Sequence, residues 1–362
     1  MSVKEAKRSS FSARLIEMMG MDPEKTKTSD LLYKFRQPII LIVLCIYFAL
    51  RVPGTFLTLD NLINVLYSVS LYGIMICGAM FPILLAGIDR TVSAVAAMSG
   101  AVCGMYIVQA GFTNGSVLLG VAAAVAVGML IGAIHGIIVA LLDIPAFLLT
   151  LATSEVIYGL IQVFTGKDLI VITKSELFTA IGMNRWLGVP IPVYILMVCF
   201  AISYVILNKT TYGRKVYYVG GNREAARLSG INVRLIYVTA YMMSGFMASI
   251  AGIVLASKTQ QAASYAAQGY ENDVLTAMVV GGVSLRGGFG TLQGAVFGAV
   301  LIGVLQNGLR LVGIDSTYHN LIKGIIIILA VAIDMFTTYR RSGQSRKGLL
   351  FRRGGKKEAA RV

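Results

Sequence analysis

Residues 117–142 read VLLGVAAAVAVGMLIGAIHGIIVALL, without one charged side chain. A helix of this length, rising roughly 1.5 Å per residue, crosses the ~30 Å hydrocarbon core of a bilayer. Similar apolar runs cover approximately 38–52, 62–86, 92–110, 144–164, 190–207, 236–257, 272–284, 289–311 and 318–336. With the first they make about ten, two of them short. The 272–284 run falls below spanning length and reads as a half-helix or re-entrant element, which is tolerated only when buried in protein. The fold class is therefore all-α: a polytopic integral membrane helical bundle of about ten transmembrane segments.

Composition agrees. Of 362 residues, 56% are hydrophobic and 39 more are Gly, only 14% are charged, and mean hydropathy is +0.75. Ordinary soluble domains carry about 25% charged residues. A disordered chain, a disulfide scaffold and a two-domain soluble enzyme are excluded. The expected organisation is a cytoplasmic N-terminal tail (1–37), a transmembrane domain (38–336) with a cytoplasmic loop at 208–235, and a basic cytoplasmic C-terminal tail (337–362).

The net charge of +15 is confined to places that orient the spans. Residues 1–37, 208–235 and 337–362 hold 23 of the 32 basic residues but only seven of the 17 acidic ones. Basic residues flanking apolar runs mark the cytoplasmic side. N- and C-termini and the 208–235 loop all fall inside when six spans precede the loop and ten precede the C-terminus. The 165–189 stretch then lies outside, with the single Trp, Trp186, at an interfacial position. No basic face with interleaved aromatics remains, so no nucleic-acid partner is expected. Membrane lipid is. The first 37 residues are too polar, and the first apolar run starts too late, for a cleavable signal peptide. Phe11, Leu15 and Met18 stand at helical spacing, which reads either as an interfacial helix or as a solvated tail.

Several chemistries have no residues to carry them. Thr165-Gly166-Lys167-Asp168 lacks the upstream Gly and following Ser/Thr of a Walker A loop. The chain is not expected to hydrolyse ATP or act as an enzyme, and no catalytic residue is assigned. His135 and His319 stand far apart, so no metal site is expected. His135 reads as a satisfied buried histidine. Cys45, Cys77, Cys103 and Cys199 lie in apolar runs and read as small hydrophobes. Residues 87–105 match 281–299 at five of 19 positions, which reads either as an internal repeat or as Gly/Ala/Val bias.

The 208–235 loop is the most informative polar stretch. Asn222 is a good N-cap, Arg223 to Ser229 are mostly helix formers, and Gly230 suits a left-handed helix end. Gly220 and Gly221 allow a sharp entry, and Ala225 and Leu228 share one face. A helix of two turns is unstable alone in water and needs a docking surface.

Residues 220–233, GGNREAARLSGINV, resemble the cytoplasmic coupling loop of inner-membrane permeases of ABC importers, in the branch serving ribose, galactose and related simple sugars. Residues 84–100 (LLAGIDRTVSAVAAMSG) resemble that family's Gly-Ile-Asp-Leu-Ser-Val-Gly block, 144–160 (IPAFLLTLATSEVIYGL) its Pro-Phe-(Ile/Leu)-x-Thr-Leu block, and 269–309 its Gly-Tyr-Glu…Gly-Gly-x-Ser-Leu-x-Gly-Gly-x-Gly block. The resemblance spans about 55–335. It implies a permease subunit of an ATP-driven importer in the cell (inner) membrane, with a second permease chain, identical or related. An ABC ATPase subunit would hold ATP and Mg, and an extracytoplasmic solute-binding protein would deliver substrate; this chain itself would need no cofactor. Gly220, Gly221, Asn222, Arg223, Glu224, Ala225, Ala226, Arg227, Leu228 and Gly230 become the ATPase-coupling loop. Branched-chain amino acids, nucleosides or a furanosyl signalling molecule are alternative substrates. An ion-coupled secondary transporter is the rival class.

The family's Leu-Ser-Val-Gly is replaced here by Arg90-Thr91-Val92-Ser93. A charge at the bilayer centre costs roughly 2.5–3.5 kcal/mol on insertion scales. Arg90 therefore sits near the inner interface, pairs with Asp89 or lines a wet path. Ionisable and polar residues in apolar runs are functional candidates. The translocation-path candidates are Asp89, Arg90, Thr150, Thr153, Glu155 and Asn307. Glu271 and Asp273, at the expected outer edge of a span, either face the binding protein or cap a helix. Lys323 and Asp334 read as anchors near the ends of the last span.

Overall fold

The computed structural model describes residues 28–166, 169–315, 318, 319, 321–326 and 328, with side chains from Gln37 onward. The expected interfacial helix at 11–19, Asp334 and the C-terminal tail lie outside the described residues. Helix α1 (Thr28–Arg51) begins inside the stretch read as a tail, and its apolar part, Gln37–Arg51, is short for a span. The next four helices are α2 (Leu59–Leu84), α3 (Val92–Gln109), α4 (Asn114–Leu142) and α5 (Ala146–Thr165). A polar excursion follows: β1 (Ile170–Val171), α6 (Glu176–Met183), β2 (Arg185–Trp186) and β3 (Val189–Pro190). After α7 (Ile191–Lys209) come the short helices α8 (Thr211–Gly221) and α9 (Arg223–Leu228), then α10 (Val233–Thr259), β4 (Gln261–Ala262), α11 (Tyr270–Val280) and α12 (Leu292–Leu311). Seven of these (α2, α3, α4, α5, α7, α10 and α12) are long and apolar enough to cross a membrane.

Why the chain breaks where it does is local chemistry. Thr58, Thr113 and Thr291 cap α2, α4 and α12 by accepting from backbone amides. Pro82 stands in the last turn of α2, and Ala86 takes φ +60° in the turn beyond it. Gly269, at φ +93°, opens α11. With 11 residues, α11 is roughly 16 Å long and cannot span.

The core is a small-residue seam. α10 packs along α4, α2 and α3. On α4, Gly128, Gly132 and Gly136 recur every fourth residue, where Cβ atoms would lie 2.7, 2.2 and 2.5 Å from Gly245 O, Tyr241 O and Val238 Cα of α10. Such close backbone approach drives helix association where lipid removes the hydrophobic incentive. His135 is buried in this seam beside Tyr241, their rings 6.4 Å apart. Contrary to the expectation of a satisfied histidine, neither ring nitrogen nor the Tyr241 hydroxyl has a hydrogen-bond partner among the described residues.

The two ends of the bundle differ. One carries α8, α9, the break 85–91, the loop 281–291 and Asp143. The other carries α6, where Gly182 N–H donates to Ser257 Oγ at 2.7 Å, the β1–β4 pair and the β2–β3 hairpin. The stretches 87–105 and 281–299 each consist of a break leading into a long helix, α3 and α12, and both breaks lie at the same end.

Candidate functional site

The first site is the α8–α9 corner. Asn222 Oδ1 accepts from Ala225 N at 2.9 Å and starts α9. Gly230, at φ +79°, donates to Arg227 O, and Ile231 N donates to Ala226 O; this paired closure ends the helix. Glu224 and Arg227 form an exposed pair at 2.6 Å. Arg223 reaches Asp143 at 2.5 Å and lies 5.2 Å from the centre of the Tyr237 ring, fastening α9 to the ends of α4 and α10. The inward residue is Ala226, 5% exposed, and not the Ala225/Leu228 face; Leu228 is 78% exposed and points away from its own chain.

Gly220 and Gly221 do not form a sharp entry. They are the last turn of α8, which the sequence reading missed as a helix. A Cβ on Gly220 would lie 1.8 Å from Leu84 O, so only Gly lets α8 reach the end of α2. Gly288 N donates to the same Leu84 O at 2.7 Å. Tyr217 hydroxyl donates to Gly290 O at 2.8 Å and Tyr237 hydroxyl to Leu85 O at 3.0 Å. Burial pushes the Tyr217 phenol above its ordinary pKa. The glycine-rich loop is thus bound to the α8 corner and to the break after α2.

The second site gathers where the 85–91 break meets α5 and α11. Asp89 and Arg90 do not pair with each other. The Asp89 carboxylate accepts from Thr91 N (2.9 Å), Thr91 Oγ1 (2.6 Å) and Ser244 Oγ (2.6 Å). Arg90 crosses to α11: its guanidinium lies 3.3 Å from Glu271 Oε1, donates to Asn272 Oδ1 at 3.2 Å and stands 5.8 Å from the centre of the Phe147 ring. Thr150 is fully buried, and its hydroxyl faces Ile88 O at 3.1 Å and Ala146 O at 2.8 Å, holding α5 to the break. Among the described residues Thr153 bonds only to Leu149 O. Glu155 is exposed on the outer face of α5 and makes no hydrogen bond or ion pair among the described residues. Around it the sequence reading missed Tyr158, which donates to Ser93 Oγ (3.1 Å), and Gln162, which donates to the Tyr265 hydroxyl (2.7 Å). Only their helical spacing from Glu155 could have signalled them.

Asn307 and Asp273 lie outside this second site, whereas Glu271 belongs to it through Arg90. Asn307 donates to Asn61 Oδ1 at 2.8 Å, an interhelical bond to α2. Glu271 and Asp273 are inside the bundle and not at an outer rim, because α11 starts within it: Tyr270 packs edge-on against Tyr72 of α2 at 5.1 Å. Glu271 Oε2 accepts from Gly269 N. Asp273 is buried against Lys323 at 2.8 Å, so Lys323 is an interior partner and not a surface anchor. Among the described residues no three His, Cys, Asp or Glu side chains gather as metal ligands.

The comparisons with known proteins fit this architecture. The ribose import permease protein RbsC of Escherichia coli (strain K12) is 37% identical over 302 residues, covering 83% of this chain and 93% of that protein. The protein of the same name from Bacillus subtilis (strain 168) is 35% identical over 295 residues, 81% and 90% of the two chains. The L-arabinose transport system permease protein AraH of E. coli (strain K12) is 34% identical over 298 residues, 82% and 89%. No solved structure matches significantly. Residues 61–331 match the family described as branched-chain amino acid transport system / permease component. Three-quarters of the sequence lies in that match, and the chain belongs to this family of membrane permeases.

Proposed function

We propose that this chain is the permease subunit of an ATP-driven importer for a simple sugar, in the cell (inner) membrane. The substrate class rests on the ribose and L-arabinose permeases, which share over a third of their residues with it along most of both chains. The site chemistry favours a sugar over a zwitterionic amino acid. A zwitterion needs free charges of both signs, whereas Arg90 is committed to Glu271. What remains on the exposed side of α5 is the Glu155 carboxylate and the Gln162 amide, with the Tyr265 hydroxyl of the loop before α11 beside that amide, groups that exchange hydrogen bonds with hydroxyls.

The observation that carries the coupling role is the placement of α9. A capped two-turn helix is clamped to its own chain by Ala226 and Arg223 and presents Leu228 outward. In this reading an ATPase subunit, which holds ATP and Mg, docks there. Its closure moves α8–α9, and the contacts of Gly220 and Tyr217 pass the motion to both breaks as a rigid-body shift. The α5 face, with Glu155 in mid-helix, faces a second permease chain and the path between the two copies. A charge at that depth needs a partner or water. The solute-binding protein docks at the α6 end. With α1, the 318–336 run, and α11 taken together with the non-helical residues that flank it, the chain crosses ten times, seven of them as full-length helices, and both termini lie in the cytoplasm. The organisation into tails 1–37 and 337–362 around a permease domain 38–336 belongs to the same proposal, as does a duplicated break-and-helix unit at 87–105 and 281–299.

The test is uptake by proteoliposomes holding the chain with its co-purified ATPase and binding protein. ATP-dependent uptake of labelled ribose or arabinose, with leucine not accumulated, supports the proposal. Leucine accumulation moves the chain to the amino-acid class. Uptake driven by an ion gradient without ATP refutes it.

A further inference from the structure

At the end of the bundle opposite α8–α9, a hollow of about 390 Å³ opens between α2, α10, α11, α12 and the helical residues 318, 319 and 321–326. Tyr72, Gln306, Asp273, Lys258, Arg310 and Lys323 line it. The only carboxylate among its described lining residues, Asp273, is spent: Lys323 Nζ lies 2.8 Å from Asp273 Oδ1, and Gln306 Nε2 donates to the same oxygen at 3.0 Å. Tyr72 hydroxyl donates to Gln306 Oε1 at 2.8 Å, which fixes that amide. Lys258 and Arg310 have no carboxylate partner among the described residues. Lys258 stands 4.0 Å from the centre of the Tyr67 ring, and Arg310 Nε bonds only to Gln306 O. Lys258 also lines an adjoining hollow of about 230 Å³ that holds Arg185.

Cations are favoured in the last turns of α10 and α12 by the helix dipole. That accounts for their place along each helix. It does not account for two unneutralised cations turned into one hollow, beside a third whose charge is already balanced, where like charges repel. A ligand with about two negative charges restores neutrality, and a phosphomonoester carries roughly −1.5 to −2 at neutral pH. We infer that this hollow is a phosphate site, with Arg310 and Lys258 holding the phosphate oxygens and the Asp273–Lys323–Gln306 network as its fixed wall. The phosphate comes from a soluble sugar phosphate or from a phospholipid headgroup. The inference does not depend on the import reading, because its test involves no transport.

The full-length purified protein is placed in phosphatidylcholine nanodiscs and titrated calorimetrically with ribose 5-phosphate, inorganic phosphate and ribose. A parallel preparation contains phosphatidic acid, whose headgroup is a phosphomonoester, and retained lipid is read by native mass spectrometry. The expected result is saturable binding of the phosphates but not of ribose, weakened at least tenfold in Lys258→Gln/Arg310→Gln and kept within a few-fold in Arg310→Lys. Phosphatidic acid retained by the wild type and lost by the double variant assigns the site to lipid phosphate and also supports it. Absence of both effects, ribose binding as tight as the phosphates, or unchanged binding in the double variant overturns it. Arg310→Lys distinguishes loss of charge from loss of fold.

Discussion

Gly288 N–H donates to Leu84 O across 2.7 Å, although the two residues stand on breaks some two hundred positions apart. Gly220 fills the remaining space at that carbonyl so closely that no side chain fits. The end of α2, the loop before α12 and the last turn of α8 therefore meet in one knot of backbone. Motion imposed on the α8–α9 corner reaches both breaks together, because packed interfaces shift between discrete arrangements and do not deform smoothly.

Gly220→Ala should separate the corner from the breaks. Overpacking of this kind costs about 1–3 kcal/mol, so the protein should still insert while uptake falls at least tenfold. Gly221→Ala is the control, since nothing lies within 4 Å of its added Cβ. Equal uptake by the two variants, normalised to membrane abundance, would remove the knot from the coupling route.

Asn222→Ala removes the N-cap of a six-residue helix and should cost about 0.5–2 kcal/mol of local stability. Asn222→Asp keeps an acceptor and should retain most activity. Proteolysis of the loop and ATP-driven uptake measured side by side check this: the Ala variant should be cleaved faster and transport less, the Asp variant neither.

Arg90→Leu should destabilise the chain by leaving Glu271 unpaired. The full effect for a buried pair is about 3–5 kcal/mol; exposures of 21% and 11% place this pair below that. Arg90→Leu/Glu271→Gln should recover part of the loss. A cycle of thermal unfolding in detergent reads the coupling, and additive losses would show that the two side chains act independently.

Glu155→Gln should reduce uptake more than it reduces membrane abundance, since Glu155 has no hydrogen-bond or ion-pair partner to lose among the described residues. Quantitative blotting beside initial uptake rates decides it. Parallel reductions would make Glu155 a structural residue.

Seven of the ten expected spans were legible because apolar runs are local properties, and α9 was legible because caps are written within a few residues. α11 announced itself by its length alone. The rest depends on contacts between distant positions. Asp273 looked like a rim residue until Lys323 and Gln306 enclosed it. Arg90 had an acidic neighbour in sequence, yet the turn at Asp89 directs that carboxylate to Thr91 and Ser244 and leaves Arg90 to α11. α8 was missed because TYGRKVYYVGG mixes glycines and aromatic residues, poor intrinsic helix formers stabilised here by packing on α2, α10 and α7. Gly220 read as allowing a sharp entry to α9; its place is fixed by proximity to Leu84.

The most direct test of the central claim is affinity purification of the tagged chain from its native membrane in mild detergent, beside Leu228→Asp. Leu228 is exposed and touches nothing in its own core, so the variant should fold. The account predicts an ABC ATPase subunit co-purifying with the wild type and lost from Leu228→Asp. Recovery of the wild-type chain without an ATPase in several detergents, or undiminished ATPase recovery with the variant, would contradict it.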